Sequence, residues 1–255
     1  MTLTPVGAEI VDHARRMMEQ ADAIEQLARA HHDPLSGPLR IGAIPTLSPY
    51  LIPLLVVPLK NRYPQLKLVL NEEITEALLQ RLRKHEIDAA LIATPVDGAD
   101  LETIPLFDEP FWLAFPLKHP VYSKDEISHE DLEQLDLLLL SDGHCLAQQV
   151  MDVCGLADRP QKGEMGDLKA SSLETLLQLV GAGFGCTLVP ALATRGSWMT
   201  DSGIIARKLD LPDTYRRISL AFRHGFPRRQ GLEAFAEVIR QQLANSVEVI
   251  EGSTN

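Results

Sequence analysis

The 255-residue chain has three cysteines, and two of them, Cys145 and Cys154, lie nine positions apart in SDGHCLAQQVMDVC. Cysteines this sparse do not build a disulfide scaffold. A thiol on a Ser-Asp-Gly turn beside His144, with a second thiol close downstream, suits another chemistry, in which one sulfur reacts and the other resolves the product. The thiolate is the nucleophile, so the first sulfur needs a lowered pKa and access to solvent. If Ser141 or Asp142 caps a helix, Cys145 falls in its first turn. Free N–H groups and the helix dipole favour negative charge there. A protonated or hydrogen-bonding His144 adds to this effect, and Asp142 opposes it.

On the residues alone, two small apolar side chains facing a core are an equal reading, because pairing is not legible from spacing. His144, Cys145 and Cys154 also offer three metal ligands. No fourth stands at a recognisable spacing and adjacent His and Cys rarely close on one ion, so no metal is expected. Cys186, in the apolar segment GFGCTLVP, reads as a buried, inert thiol.

The spacing of the pair has a mechanical consequence. Leu146, Val150 and Val153 fall on one helical face, so the segment between the cysteines is expected to be helical. Nine helical residues rise about 13.5 Å. A disulfide tolerates a Cα separation of about 7 Å at most. The bridge therefore requires this helix to unwind.

The surrounding elements must hold that helix in place. Residues 6–30 have an apolar stripe at Ile10, Ala14, Met17, Ala21, Ile24 and Ala28, and the turn-rich HHDPLSGP sets them apart from the rest. Such a helix is expected to bury its stripe against a second chain. LRIGAI, LKLVLNE and IDAALIA then read as strands. They alternate with a helix opened by Ser48 as cap and Pro49, in which Pro53 and Pro58 should kink or end the run, and with the helix TEALLQRLRKHE. A second block repeats the alternation: strand LDLLLLS, helix CLAQQVMDVC, extended KGEMGDLKA, a helix with the capping box Ser171-x-x-Glu174, and strand CTLVP. PFWLAFPLKHP and RRISLAFR are extended crossings, and RQGLEAFAEVIRQQLA is a terminal helix. The fold class expected is α/β: two Rossmann-like subdomains joined by two crossing strands, with a ligand cleft between them.

Composition excludes several function classes. Hydrophobic residues at 45% and charged residues at 23% are ordinary for a globular protein. No apolar run reaches membrane-spanning length and MTLTPVGAEI lacks the regions of a signal peptide, so a cytoplasmic protein without membrane partners is expected. With 35 acidic against 24 basic residues the net charge is −11, which argues against this chain holding nucleic acid by itself. Arg216, Arg217, Arg223, Arg228 and Arg229 read as a solvated basic face.

The segments GPLRIGAIPTLSPYLIP, PLFDEPFWLAFPLKHP, LLLLSDGHCLAQQVMDVCG and ASSLETLLQLVGAGFGCTLVPALA, in this order, closely resemble the OxyR family, the peroxide-sensing branch of the LysR-type transcription regulators. The resemblance runs from Thr4 to the C-terminal helix. The cleft-forming core is common to LysR-type regulators, whereas DGHC with a second cysteine nine positions on is specific to the peroxide sensors.

The resemblance implies that Cys145 is the peroxidatic residue, oxidised to a sulfenic acid, and that Cys154 resolves it to a disulfide. It places Thr46, Thr75, Gly143, His144, Ser171 and Arg223 around the thiol, with Arg223 as support for the thiolate. Turn and cap roles account equally for Thr46, Thr75 and Ser171. The implied organisation is 1–37 as wing remnant, linker helix and hinge, 38–114 with 222–255 as one subdomain, and 115–221 as the other. The implied partners are hydrogen peroxide, further copies in a homodimer or homotetramer, and a reductant such as glutaredoxin or thioredoxin. DNA contact would run through an N-terminal winged helix-turn-helix absent here, and RNA polymerase is met by the longer regulator. No cofactor is implied, and a thiol peroxidase is disfavoured. The rival is a LysR-type regulator whose cleft takes a small-molecule effector while the cysteines are incidental.

Overall fold

The computed structural model describes residues 4–29, 35–155, 169–195, 202–243 and 247–250. A long helix, α1 (Pro5–Arg29), leads. Ile10, Ala14, Met17, Ala21 and Ile24 of its stripe are all exposed, so the stripe faces away from the body. The Ala28 side chain and residues 31–34 of the HHDPLSGP segment lie outside the described residues.

The first block is β1 (Gly37–Ala43), α2 (Ser48–Arg62), β2 (Leu66–Glu72), α3 (Thr75–Arg83) and β3 (Ala89–Ile92). The first crossing strand, β4 (Leu101–Pro116), follows. The second block is α4 (His129–Gln134), β5 (Leu139–Leu140), α5 (Cys145–Val153), β6 (Lys169–Ala170), α6 (Leu173–Gly181), β7 (Thr187–Pro190) and β8 (Ile204–Lys208). The second crossing strand β9 (Tyr215–Arg223), helix α7 (Arg229–Gln242) and β10 (Glu248–Val249) are the last elements among the described residues.

β1 is parallel to both β2 and β3, the pairing that strand–helix alternation predicts. β9 runs antiparallel to β3 on one edge and to β4 on the other. β4 changes partners along its length: Leu101–Pro110 pairs with β9, then Phe111–Pro116 pairs with β7 and β8. The apolar cores divide at the same place. One draws on segments between Leu35 and Phe107 and between Ile218 and Ile239, together with Leu192. The other lies between Phe111 and Leu209. The α/β architecture with two cores and two crossing strands is the expected one.

Local expectations differ from the structure at four points. α2 continues through Pro53 and Pro58 to Arg62, because Leu51, Ile52, Leu55 and Leu59 bury on the other side and Pro53 is exposed. Burial outweighs the lost hydrogen bonds. Its cap is Leu47, which puts Ser48 and Pro49 inside the helix. LDLLLLS yields only a two-residue strand, since Leu138 N–H bonds Cys186 O instead of extending the β5–β6 ladder. Three of the five arginines depart from the expected solvated face, while Arg217 and Arg229 remain exposed. Arg216 and Arg223 are buried, Arg228 donates to the carbonyls of Pro38 and Ser36, and Arg217 and Arg229 pair with Asp108 and Glu102.

Candidate functional site

The segment from Ser141 to Cys154 turns the end of β5 into α5. Ser141 N–H bonds Ala170 O at 2.8 Å, which ties the turn to β6. Gly143 has φ +96°, and a Cβ there would lie 3.3 Å from Ile74 Cδ1. A side chain would be strained and crowded at this point, so glycine lets the turn press against the N-terminus of α3. Neither Ser141 nor Asp142 caps α5. The cap is His144, in extended backbone geometry with no side-chain bond, and Asp142 accepts from Lys169 Nζ at 2.7 Å instead. No side chain caps the helix, so Cys145 opens it at the end where unpaired N–H groups and the dipole favour negative charge.

α5 sits on the seam between the two cores. Cys145 is half-buried and packs against the first core. Gln149, one turn on, donates from Nε2 to Ala93 O at 2.7 Å, past the end of β3. Leu146, Val150 and Cys154 belong to the second core, and Cys154 is 1% exposed. At 100° per residue, nine steps put Cys154 half a turn from Cys145 as well as about 13.5 Å along the axis. All three cysteines are free thiols. Burial pushes the Cys154 thiol up to about 12. Cys186 is buried in the second core, where burial and then the Asp136 charge push it up to about 12 as well.

Thr46 follows β1, Thr75 follows β2 and Ala93 follows β3, so all three lie at the C-terminal edge of the parallel strands where α5 docks. Ligands of open α/β sheets sit at this edge. Thr46 is buried and bound twice to Arg216: its Oγ1 accepts from Nη1 at 2.8 Å and its carbonyl from Nη2 at 3.0 Å. With that lone pair occupied, the Thr46 hydroxyl proton is left to donate. Arg216 also gives Nε to Glu109 Oε2 at 2.9 Å, while Glu109 Oε1 accepts Leu192 N–H at 2.8 Å. Thr75 Oγ1 and Gln149 Oε1 are buried without a hydrogen-bond partner. A buried polar atom normally has one, so these two are free to meet a small polar guest.

Two expected site residues stand elsewhere. Ser171 is exposed, and Ser172 caps α6 by accepting Thr175 N–H at 3.2 Å. Glu174 turns away to accept from Tyr50 Oη at 3.0 Å, a bond that joins α6 to α2. Burial first, then the Glu174 charge, raises the Tyr50 pKa. Arg223 donates to the carbonyls of Leu82 and Ile87 and pairs with Glu19 on α1, so it supports the leading helix and not the Cys145 thiolate. Sequence reasoning missed Arg216, Glu109 and Gln149. The signals were an acid inside the apolar run FDEPFW, paired arginines on one strand, and a glutamine four residues after Cys145. Among the described residues no group of His, Cys, Asp and Glu could hold a metal ion, and no helix is long and apolar enough to cross a membrane.

The LysR substrate binding domain family model matches residues 32–244. A probable hydrogen peroxide-inducible genes activator of Mycobacterium avium is 38% identical over 247 residues, 97% of this chain and 78% of that protein. A full-length cysteine-to-aspartate variant of OxyR from Pseudomonas aeruginosa superposes with a TM-score of 0.80 at 38% identity, covering 96% of this chain and 80% of that one. A hydrogen peroxide-bound cysteine variant of Corynebacterium glutamicum OxyR gives 0.76 at 33% identity, over 94% of this chain and 74% of that one. The chain belongs to the LysR family of transcription regulators and, within it, to the OxyR group.

Proposed function

We propose that the chain is the hydrogen peroxide-sensing regulatory part of a LysR-type transcription factor, with Cys145 and Cys154 as its switch. The observation that carries this reading is the placement of the two thiols. One is half-exposed at an uncapped helix start, and the other is buried on the far side of the same helix in a different core. The Cys145 thiolate attacks one peroxide oxygen, the O–O bond breaks, and hydroxide leaves to be protonated to water. The product is a sulfenic acid. The Thr46 hydroxyl, the orphaned Thr75 hydroxyl and the Gln149 carbonyl are the polar groups that hold the guest, with Gly143 and His144 shaping the turn. Cys154, as thiolate, then attacks the sulfenic sulfur and expels hydroxide to form the disulfide. Its thiol is held protonated in the folded helix, so unwinding α5 both brings the sulfurs together and frees the resolving thiolate.

In this reading the two cores are the centres of two subdomains that shift when α5 rearranges, and the change-over falls on β4 between Phe107 and Phe111 and on β9 before Ile218, not at 114 and 222. Two copies associate through the exposed stripe of α1, as a dimer or within a tetramer. DNA and RNA polymerase are engaged through the longer cytoplasmic regulator, and glutaredoxin or thioredoxin restores the thiols. The rival reading is an effector cleft between the subdomains; the cavity of about 430 Å³ beside Gln149, Asp152 and Tyr215 is lined by residues between Phe111 and Tyr215 and does not bridge the two cores. Mass analysis without reductant separates the two. Peroxide should remove two hydrogens, mapped to a Cys145–Cys154 link that Cys145→Ser abolishes. A chain unchanged by peroxide but stabilised by a metabolite would favour the rival.

A further inference from the structure

We propose that Glu19 and Arg223 form a latch that seats α1 on the body, and that β9 ties this latch to the peroxide site. The tie rests on the redox reading above; the latch rests on geometry alone. β9 has a buried arginine near each end. At one end Arg216 binds Thr46 and Glu109 beneath the site. At the other, Arg223 holds α1. Seven strand steps separate them, about 24 Å. Over residues 219–222 the strand is hydrogen-bonded on both edges, by β3 and by β4. A strand paired on both sides moves together with its neighbours, so a shift at one end is felt at the other.

The latch is built to open. Arg223 Nη1 donates to Leu82 O at 2.6 Å and Ile87 O at 2.7 Å, which fixes the guanidinium to the body whether or not α1 is present. Only Nη2 reaches Glu19. Releasing α1 therefore does not strand a buried cation, the event that makes most buried pairs costly to break. Glu19 offers its other oxygen to His85 Nδ1 at 2.5 Å. His85 has φ +56°, a left-handed residue closing α3, and this turn also aims Lys84 O at Arg15 Nη1, 3.3 Å away. Arg15 and Glu19 are four residues apart and so share one face of α1. A cavity of about 370 Å³ stays open beside them, lined by Arg15, Glu19, His85 and Phe226 among others. The seat of α1 here is polar and loosely filled, which suits a helix that pivots.

Amide exchange of the 255-residue chain, read over residues 10–24 and 79–88, tests the proposal. In the reduced protein Glu19→Gln should raise exchange in both segments several-fold. Peroxide should raise it in the parent chain and add nothing to Glu19→Gln, although the same disulfide mass forms in both. Thr46→Val removes one anchor of Arg216 without any redox step, and it too should loosen residues 10–24 unless Glu19 is already replaced. If Glu19→Gln is as protected as the parent, there is no latch. If Thr46→Val and peroxide both leave α1 unchanged while the disulfide forms, β9 does not couple the two ends. If no disulfide forms but Thr46→Val still loosens α1, the redox reading falls and the latch stands.

Discussion

Arg216 and Glu109 meet on the two strands that cross between the cores: Nη2 of the one lies 2.9 Å from Oε2 of the other, and both side chains are fully buried. Such a pair persists only if its remaining donors and acceptors are satisfied. Here they are, by Leu192 N–H on the acid and by the Thr46 hydroxyl and carbonyl on the base. The pair therefore fixes the change-over of the crossing strands and the position of Thr46 together.

Removing one member should be far worse than removing both. Glu109→Ala leaves the Arg216 cation buried and deprives Leu192 N–H of its acceptor, at a cost of about 3–5 kcal/mol in urea unfolding. Combining Glu109→Leu with Arg216→Met removes both charges and should recover most of that loss. A Glu109→Ala cost below about 1 kcal/mol, the range of an exposed pair, would show that water reaches the site.

This network also marks where the sequence was silent. α5 was legible because Leu146, Val150 and Val153 obey the helical period, the first two buried and the third partly so. The choice between Arg216 and Arg223 was not. They lie an odd number of steps apart on β9, hence on opposite faces: Arg216 lies on the inner face of the half that alternates exposed and buried, whereas Arg223 ends the half from Leu220 on, which is covered on either side. Alternation reveals which face is buried only when one face meets water. The caps of α2, α5 and α6 were each misplaced by one to three residues. Neighbouring Ser, Asp and Leu are equivalent until the chain's entry direction is known, and tertiary packing sets that direction.

The exposed stripe of α1 makes a prediction about assembly. Ile10 is 63% exposed and Met17 74%, unusual for large apolar side chains on one face of a helix. Replacing both with glutamate places like charges in any pairing of two such helices. Sedimentation should then report a lower mass for the variant than for the parent at equal concentration. Equal masses would move the contact to another surface.

Alkaline pH should weaken the fold through its buried thiols. An unfolded cysteine titrates near about 8.5, whereas Cys154 and Cys186 in the folded chain are pushed up to about 12. Between those values the unfolded chain releases protons that the folded chain retains. Stability is therefore full below about pH 8.5 and falls as pH rises toward 12, with each group contributing on the order of 1 kcal/mol per pH unit. Urea midpoints at pH 7, 9 and 10 should decline for the parent and decline less for Cys154→Ala with Cys186→Ala. Identical slopes would mean that water solvates the thiols. Tyr50, raised in the same direction, remains in both proteins and cancels in the comparison.

Gly143 offers the sharpest separation of stability from chemistry. Alanine there must adopt φ +96° and bring its Cβ to 3.3 Å from Ile74 Cδ1, two residues before Cys145 and next to Thr75. Gly203 has φ +73°, and a methyl group there would meet nothing within 4 Å, in a turn whose carbonyl accepts Leu117 N–H. Both substitutions incur a positive-φ backbone penalty of about 1–2 kcal/mol, so both should lower the unfolding midpoint, Gly143→Ala by more because Ile74 must give way. Only Gly143→Ala displaces the wall of the thiol site. Stopped-flow oxidation by peroxide, followed as loss of free thiol, should slow for Gly143→Ala and keep the parent rate for Gly203→Ala. If the two variants react alike, the contact between the DGHC turn and the start of α3 does not shape the reaction at Cys145.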